Sequence, residues 1–219
     1  KLTAGKAARG DRSGCSVAID GNTVVVGAYY AYDDDAGPWS GLAYVFRTSD
    51  GGSTYTRVAT LMASDAAMWD LFGTSVAIDG DTVVVGADGD ASNRGAAYVF
   101  RTTNGGVTYS QVAKLTASDA SVEDYFGVSV AIDGGTVVVG AHYENSRRGA
   151  AYVFRTTDGG ASYSQVAKLT ASDAAAGDYF GRSVAIDGDT VAISGGGSVY
   201  IFRTTDGGET WSQVDKLEA

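Results

Sequence analysis

Residues 114–167 read KLTASDASVEDYFGVSVAIDGGTVVVGAHYENSRRGAAYVFRTTDGGASYSQVA, and this stretch is one of four similar units along the chain. The string SVAIDG marks each copy; its spacings are 59, 54 and 54 residues, and it starts at Ser16, Ser75, Ser129 and Ser183. A fixed period of this length is typical of repeat architectures, in which each repeat is one supersecondary unit. The sequence therefore predicts a single domain, 1–219, made of four units that span approximately residues 1–59, 60–113, 114–167 and 168–219.

Each unit contains four extended segments, which in the second unit are Ser75–Ile78, Thr82–Gly86, Ala96–Arg101 and Tyr109–Leu115. These segments are rich in Val, Ile, Tyr and Phe, and glycine or Asp-Gly pairs bound them, as in strands joined by tight turns. Asp79-Gly80 suits a two-residue hairpin, because glycine adopts positive φ at low cost. No window of ten residues carries a helical stripe. We therefore expect an all-β protein, a β-propeller with four blades of four antiparallel strands.

Two other architectures fit the same repeats: a linear β-array and a fragment of a longer propeller. The chain opens with Lys1-Leu2-Thr3-Ala4 and ends with Lys216-Leu217-Glu218-Ala219, so the last unit stops after a complete fourth strand. This match favours four whole blades that close into a ring.

The composition excludes several functional classes. Glycine supplies 31 of 219 residues, about twice the usual share, which agrees with many turns. The 26 acidic and 16 basic residues give a net charge of -10, and a field of that sign repels phosphate, so nucleic acid and anionic membrane surfaces are not expected partners. No apolar run has the length of a transmembrane segment. The single Cys15 cannot form an internal disulfide.

Two dipeptides that recur at fixed places resemble a known family. Phe72-Gly73 is followed by Gly86-Ala87, and Phe126-Gly127 is followed by Gly140-Ala141. These pairs resemble FG-GAP repeats, which build propellers such as the integrin α-subunit head. The resemblance implies an adhesion, surface or assembly role, and with it an extracellular or cell-surface location.

The link between the third and fourth strands resembles a second motif, the Asp-box turn of sialidase-type propellers. Its pattern, S/T-x-D-x-G-x-T-W, matches Thr204–Trp211, and variants occur at Thr48–Tyr55, Thr102–Tyr109 and Thr156–Tyr163. The resemblance implies a structural role, away from any ligand, for the residues at the third position, which are Asp50, Asn104, Asp158 and Asp206.

The loops between the second and third strands differ between units, whereas the strands repeat. They are Tyr29–Ser40, Asp88–Arg94, His142–Arg148 and the short Gly195–Gly197. Variable loops on a rigid scaffold commonly carry recognition, and exposed Tyr and Trp suit protein contacts or stacking on sugars. The residues predicted to bind a ligand or partner are Tyr29, Tyr30, Tyr32, Trp39, Trp69, Asp88, Asp90, His142, Tyr143, Glu144, Arg147 and Arg148. Alternatively, the aromatic side chains pack within their own loops.

Acidic residues in the same loops suggest that calcium is possible, although no cofactor is required. Asp33, Asp34 and Asp35 are the candidate metal ligands, since Ca²⁺ prefers several oxygen ligands. Calcium-binding FG-GAP repeats carry D-x-D-x-D-G-x-x-D between the first and second strands, where this chain has only Asp79-Gly80-Asp81 or its equivalents.

Signs of catalysis are few. The one histidine, His142, lies in a variable loop, and no motif pairs it with a nucleophile. The equivalent arginines Arg47, Arg101, Arg155 and Arg203 are interpreted as structural rather than as a carboxylate-binding set, because all four units carry one. The predicted function is therefore a non-catalytic interaction module for a protein partner or larger assembly. A carbohydrate-binding lectin is the alternative, followed by a glycan-active enzyme.

Overall fold

The computed structural model describes residues 10–32 and 37–218, and its regular secondary structure is almost entirely β-strand. The first blade contains β1 (Ser16–Asp20), β2 (Thr23–Ala28), β3 (Leu42–Arg47) and β4 (Thr56–Leu61). The second contains β5 (Ser75–Asp79), β6 (Thr82–Ala87), β7 (Ala96–Arg101) and β8 (Ser110–Leu115). The third contains β9 (Phe126–Asp133), β10 (Thr136–Ala141), β11 (Ala150–Arg155) and β12 (Ser164–Leu169). The fourth contains β13 (Val184–Asp187), β14 (Thr190–Gly195), β15 (Ser198–Arg203) and β16 (Ser212–Glu218).

The strands of each blade pair with their neighbours in chain order, as an antiparallel meander. The sheet orders are β1-β2-β3-β4, β5-β6-β7-β8, β9-β10-β11-β12 and β13-β14-β15-β16. The first hairpin of the second blade pairs Asp79 with Thr82 around Gly80, whose φ is 53°. The prediction of a four-blade all-β propeller is confirmed.

Most of the hydrophobic core lies at the seams between consecutive blades, and a smaller buried cluster lies on the first blade, made of Val26, Ala28, Ala31, Tyr44 and Phe46. At the first seam, Val25 and Leu61 of the first blade pack with Phe72, Val83 and Phe100 of the second. The second and third seams repeat this arrangement around Phe126 and Phe180, both fully buried. Each blade is thus covered by its neighbours, which explains why the strands read as continuous apolar runs.

The recurring glycines allow adjacent blades to approach closely. A Cβ on Gly86 would lie 2.0 Å from the carbonyl oxygen of Gly127, and the same holds at 2.1 Å for Gly27 and Gly73. Neighbouring bridges join Gly41 to Phe72 and Gly95 to Phe126 across the same seams. The Phe-Gly and Gly-Ala pairs are therefore the two sides of one blade-to-blade contact.

The structure differs from the expected closed ring. Val17 and Ile19 of β1 are 66% and 67% exposed, whereas the equivalent Val76 is buried against the preceding blade. At the other end, Leu217 of β16 is 50% exposed, although its equivalent Leu115 is buried. Within the described residues, three seams join the four blades, and none joins the fourth to the first.

Two short turns, Asp90–Asn93 and Glu144–Arg147, interrupt the variable loops of the second and third blades. Each contains three successive residues with positive φ, which are Ala91, Ser92 and Asn93 in one and Asn145, Ser146 and Arg147 in the other. Non-glycine residues in this region cost about 1–2 kcal/mol each, so surrounding contacts must hold them there.

Candidate functional site

The variable loops and the links between blades meet on one side of the propeller, which we call the top face. They are joined by backbone hydrogen bonds, because the link into one blade runs beside the loop of the blade before it. Leu71 N–H donates to Trp39 O at 3.1 Å, and Phe72 N–H donates to Ser40 O at 2.9 Å. The third blade repeats this pattern, with Tyr125 N–H donating to Asn93 O at 2.9 Å. Side chains far apart in sequence are thereby brought together.

Four predicted residues form one group, which we call the tryptophan cluster: Tyr29, Tyr30, Trp39 and Trp69. The ring centroids of Trp39 and Trp69 are 3.7 Å apart, and those of Tyr29 and Tyr30 are 4.5 Å apart. Tyr30 links the two pairs, at 6.1 Å from Trp39. Arg12 completes the group, since its Nη1 donates to Tyr29 Oη at 2.7 Å and its guanidinium lies over Tyr30. The side chains therefore pack on one another, as the alternative interpretation expected.

Part of this cluster nevertheless faces solvent. Within the cluster, Trp69 is 51% exposed; outside it, Tyr32 and Met68 are exposed as well. A cavity of about 500 Å³ adjoins the cluster, lined by Met68, Trp69, Asp70, Leu71, Gly89, Ser92 and Asn93. Exposed aromatic and methionine side chains beside a cavity are typical of recognition surfaces.

The backbone under the two tryptophans is strained. Trp39 has a φ of 57° and Trp69 a φ of 77°. The residue equivalent to Trp69 is Glu123 in the third blade and Gly177 in the fourth, and glycine is the residue that adopts positive φ freely. A bulky side chain at positive φ is an outlier, and such strain concentrates at functional sites. The fold therefore tolerates a tryptophan here at a cost in stability.

A second group, the tyrosine–histidine cluster, lies between the third and fourth blades and comprises Tyr125, His142, Tyr143 and Tyr179. His142 and Tyr143 have ring centroids 4.6 Å apart, and Tyr143 lies 4.9 Å from Tyr125 and 5.4 Å from Tyr179. Arg147 lies over the Tyr143 ring at 5.0 Å. Burial, aided by the charge of Arg182, lowers the pKa of His142 to about 4, so the imidazole is neutral at pH 7.

A polar cavity of about 510 Å³ opens beside the tyrosine–histidine cluster. Its acidic lining residues are Asp119, Glu123, Asp124 and Glu144. Burial, with the charges of Glu144 and Asp119, raises the pKa of Asp124. Arg147 also lines the cavity, and Lys168 pairs with Asp119 and Glu144, so Glu123 and Asp124 are the acids of this cavity that form no ion pair within the described residues.

The predicted acidic residues are engaged within the protein. Asp90 is buried and accepts hydrogen bonds from Tyr98 Oη at 2.8 Å and Lys114 Nζ at 2.7 Å. Glu144 is the equivalent of Asp90 in the third blade, and it pairs with Lys168 Nζ at 2.9 Å. Asp88 accepts from Thr74 Oγ1 at 2.9 Å. These contacts are structural, so binding roles for the three acids stay predictions. Arg148 is exposed, and its predicted binding role also stays a prediction.

Arg12, Tyr125 and Tyr179 belong to the two groups and Met68 lies beside the tryptophan cluster, but sequence reasoning did not select them. Tyr125 and Tyr179 each precede the phenylalanine of a Phe-Gly pair, and Leu71 takes the same place in the second unit. That shared place beside a variable loop is the signal that would have found the two tyrosines. Arg12 offers no such signal, because its partners come from the fold.

The candidate calcium ligands Asp33, Asp34 and Asp35 lie outside the described residues, so calcium binding stays a prediction. In residues 10–32 and 37–218, no group of three or more His, Cys, Asp or Glu side chains could hold a metal ion. No helix in that part of the chain is long and apolar enough to cross a membrane.

Four segments of the chain, residues 1–46, 55–100, 109–154 and 163–202, match the family model of the FG-GAP repeat. The chain belongs to the FG-GAP repeat family. The resemblance carried by Phe72-Gly73, Gly86-Ala87 and their copies is thereby confirmed, whereas the Asp-box assignment stays a prediction. FG-GAP repeats are typical of extracellular or surface proteins, and propellers of this kind are typically non-catalytic scaffolds.

The FG-GAP propeller is also similar in fold to a solved structure. It matches the crystal structure of Sqt1 from Saccharomyces cerevisiae with a TM-score of 0.53 and 13% identity. The match covers 95% of this chain and 48% of that one, so the four FG-GAP blades span about half of that structure's length.

Proposed function

We propose that the top face of this FG-GAP propeller binds another protein, and that the molecule is a non-catalytic interaction module at the cell surface or outside the cell. The observation that carries the proposal is the half-exposed Trp69, which is held at positive φ against Trp39. Large, preorganised aromatic side chains lose little conformational entropy on binding, and for this reason Trp and Tyr dominate protein interfaces energetically.

The charge of the molecule supports a protein partner with basic groups. The net charge is -10, and Glu123 and Asp124 line a cavity on the same face as the tryptophan cluster. Complementary charges speed association and are screened by salt. We therefore expect the partner to present Lys or Arg near an apolar patch, and the association rate to fall as ionic strength rises.

The first prediction concerns Trp69. Trp69→Ala removes the exposed ring, so we expect the dissociation constant for a purified partner to rise at least about tenfold, as for a typical interface hot spot. The partner is first captured on immobilised wild-type protein from the native source, and its affinity is then measured by surface plasmon resonance.

Val107→Ala is the matched control, because Val107 is as exposed as Trp69 but lies in the turn between β7 and β8, away from the top face. The variant should bind like the wild type. The proposal fails if no captured protein distinguishes Trp69→Ala from Val107→Ala.

A lectin function is the alternative, and the exposed rings of Trp69 and Tyr32 are the feature that favours it. Such rings can stack on sugars. A glycan array probed with and without millimolar calcium tests this alternative and the calcium prediction together. A glycan signal that Trp69→Ala abolishes, in the absence of any protein partner, would replace the protein-binding proposal.

A further inference from the structure

Three equivalent arginines cross the seams at the end of the propeller opposite to the top face. Arg47, Arg101 and Arg155 each end the third strand of a blade and reach the turn between the third and fourth strands of the next blade. A Cβ on Gly106 would lie 2.7 Å from Arg47 Nη1, and one on Gly208 would lie 3.0 Å from Arg155 Nε. Because the places are equivalent, the surroundings of the three side chains can be compared directly.

The hydrogen-bond acceptors of these arginines differ from seam to seam. Arg155 Nη1 donates to Glu209 Oε1 at 3.1 Å and forms an ion pair across the third seam. At the second seam, Arg101 Nη1 donates to the carbonyl oxygen of Gly159. The Nε atoms of Arg47 and Arg101 are both buried without a partner, and Arg47 donates no hydrogen bond at all to a described residue. Buried polar groups are nearly always paired, so the guanidinium of Arg47 calls for an acceptor.

One position in the turn accounts for the difference between the first and third seams. This position holds Glu209 in the fourth blade, Ala161 in the third and Val107 in the second. Only the glutamate can accept a hydrogen bond from an arginine. Val107 is 63% exposed, so packing in the core does not explain the apolar side chain at this place.

A cavity of about 520 Å³ opens beside Arg47. Its lining also includes Asn22, Ser49, Val58 and Val107, and Arg47 is the one charged residue in it, although the net charge of the chain is -10. Asn22 and Ser49 are exposed, and their side chains bond no described residue, so both can donate to a ligand. The cavity beside Arg101 is smaller, at about 210 Å³. The larger space is therefore the one beside the arginine without an acceptor.

The neighbouring acids do not replace this acceptor. Asp50 is engaged within its own turn, where it accepts hydrogen bonds from Thr54 N–H at 2.9 Å and Thr54 Oγ1 at 2.5 Å. Burial raises the pKa of Tyr109, the charge of Arg47 lowers it, and the charge of Asp81 raises it, which shows that Asp81 lies in the same region. No ion pair joins Arg47 to Asp81 or to any other described acid.

We propose that the cavity beside Arg47 binds a carboxylate on a short aliphatic chain, carried by an acidic side chain or by a small organic acid. The carboxylate takes the place that Glu209 has against Arg155, because the planar guanidinium fork matches a carboxylate group. The aliphatic part of the ligand contacts Val58 and Val107. Arg101 and Arg155 keep the structural role that repetition predicts. The cavity is separate from the top face, so the inference does not depend on the proposed function.

The second prediction is that butyrate, which has the chain length of a glutamate side chain, binds beside Arg47. In ¹⁵N NMR spectra at low ionic strength, the Nε–Hε signal of Arg47 should shift and saturate, with a dissociation constant on the order of 1 mM. Butyramide, which has the same shape without the charge, should leave the signal unchanged. The backbone amide of Gly106, which lies against Arg47, should shift in the wild type but not in Arg47→Gln.

A tripeptide with a central glutamate and blocked ends separates the two sources of the carboxylate, with a glutamine peptide as its control. Tighter binding of the glutamate peptide than of butyrate would assign the site to an acidic protein segment. Equal binding of the two would assign it to a small organic acid.

Two substitutions at Val107 test the site while Arg47 stays intact. Val107→Glu supplies the carboxylate that Glu209 supplies at the third seam, so it should weaken butyrate binding at least about tenfold. Val107→Gln, which has the same size without the charge, should bind butyrate like the wild type. Because Val107 is largely exposed, both variants should remain folded, as circular dichroism can check.

Four results would overturn the proposal. They are an Arg47 signal that does not shift with butyrate up to about 50 mM, an equal response to butyramide, a shift of the Gly106 amide that persists in Arg47→Gln, and equal binding by Val107→Glu and Val107→Gln.

Discussion

Residue 69 shows how one unit departs from the repeat. A residue that serves every blade must recur in each unit, as Phe72 does, whereas a residue that serves recognition is free to differ. Trp69 stands where the other units have Glu123 and Gly177, and its φ of 77° makes a large side chain costly there. This strain is not offset by burial in the core, because Trp69 is 51% exposed.

The adjacent Asp70 yields a third prediction, on pH. Burial, together with the charges of Asp90 and Asp65, raises the pKa of Asp70 to about 6, above its unfolded value of 3.8. A carboxyl group whose folded pKa is raised favours the folded state below its unfolded pKa, and that contribution is lost as pH rises through the folded value. Asp70→Asn keeps the hydrogen bond from Ala67 N–H, so the variant should lose less unfolding free energy than the wild type between about pH 4 and pH 7.

Urea denaturation at successive pH values measures this difference. Asp178→Asn is the control, because Asp178 accepts the equivalent bond from Ala175 N–H but is less buried than Asp70. If the unfolding free energies of the wild type and Asp70→Asn changed equally with pH, the raised pKa of Asp70 would be contradicted.

At the scale of one element, the turn between the third and fourth strands is a closed set of hydrogen bonds. In the second blade, Thr102 Oγ1 accepts from Gly106 N–H at 2.8 Å and donates to Asn104 Oδ1 at 2.9 Å. Asn104 Oδ1 also accepts from Thr108 N–H at 2.9 Å. In the first blade Asp50 takes the place of Asn104, and hydrogen bonds from Thr54 and Thr48 lower its pKa to about 2. The sequence pattern at these places therefore acts as local scaffold.

The fourth prediction tests this turn. Thr102→Val leaves the buried Gly106 N–H without an acceptor, so we expect the unfolding free energy to fall by about 1–3 kcal/mol. Thr103→Val, which changes an exposed neighbour, should stay within about 0.5 kcal/mol of the wild type. Chemical denaturation of both variants gives the comparison, and equal losses would show that the turn contributes nothing specific.

The whole molecule is a one-dimensional array of blades. Its core consists of separate seams, each built from two consecutive units, so stability depends on neighbours along the chain. The middle blades are covered on both faces by their neighbours, whereas the far face of the fourth blade carries the exposed Val199 and Leu217. Opening of such an array should begin at its ends.

The fifth prediction concerns hydrogen exchange along the array of blades. Amides of β6 and β10, which lie in the middle blades, should exchange more slowly than those of β15 and β16, since one face of the fourth blade is exposed. Mass spectrometry of peptides after timed exchange measures the gradient. Uniform protection in all four blades would indicate a ring closed within one chain.

The sequence alone determined the strands, the blades and the family. A two-residue side-chain period, Asp-Gly hairpins and a repeated unit leave few alternatives, because every copy must satisfy the same backbone hydrogen bonds and the same seam. Repetition also separated scaffold such as Asp50 and Arg101 from the variable loops, where the candidate residues lie.

Only the tertiary structure decided which candidates meet and whether the ring closes. Trp39 and Trp69 come together because the link into one blade pairs with the loop of the previous blade, a contact that no local pattern encodes. Asp90, predicted for binding, is instead buried within its own blade, where Tyr98 and Lys114 donate hydrogen bonds to its carboxylate. Closure depends on the rotation between blades, and small packing differences at each seam add up along the array. The repeated sequence shows that the seams are alike. The sum of the rotations between successive blades, which decides closure, is a property of the folded molecule.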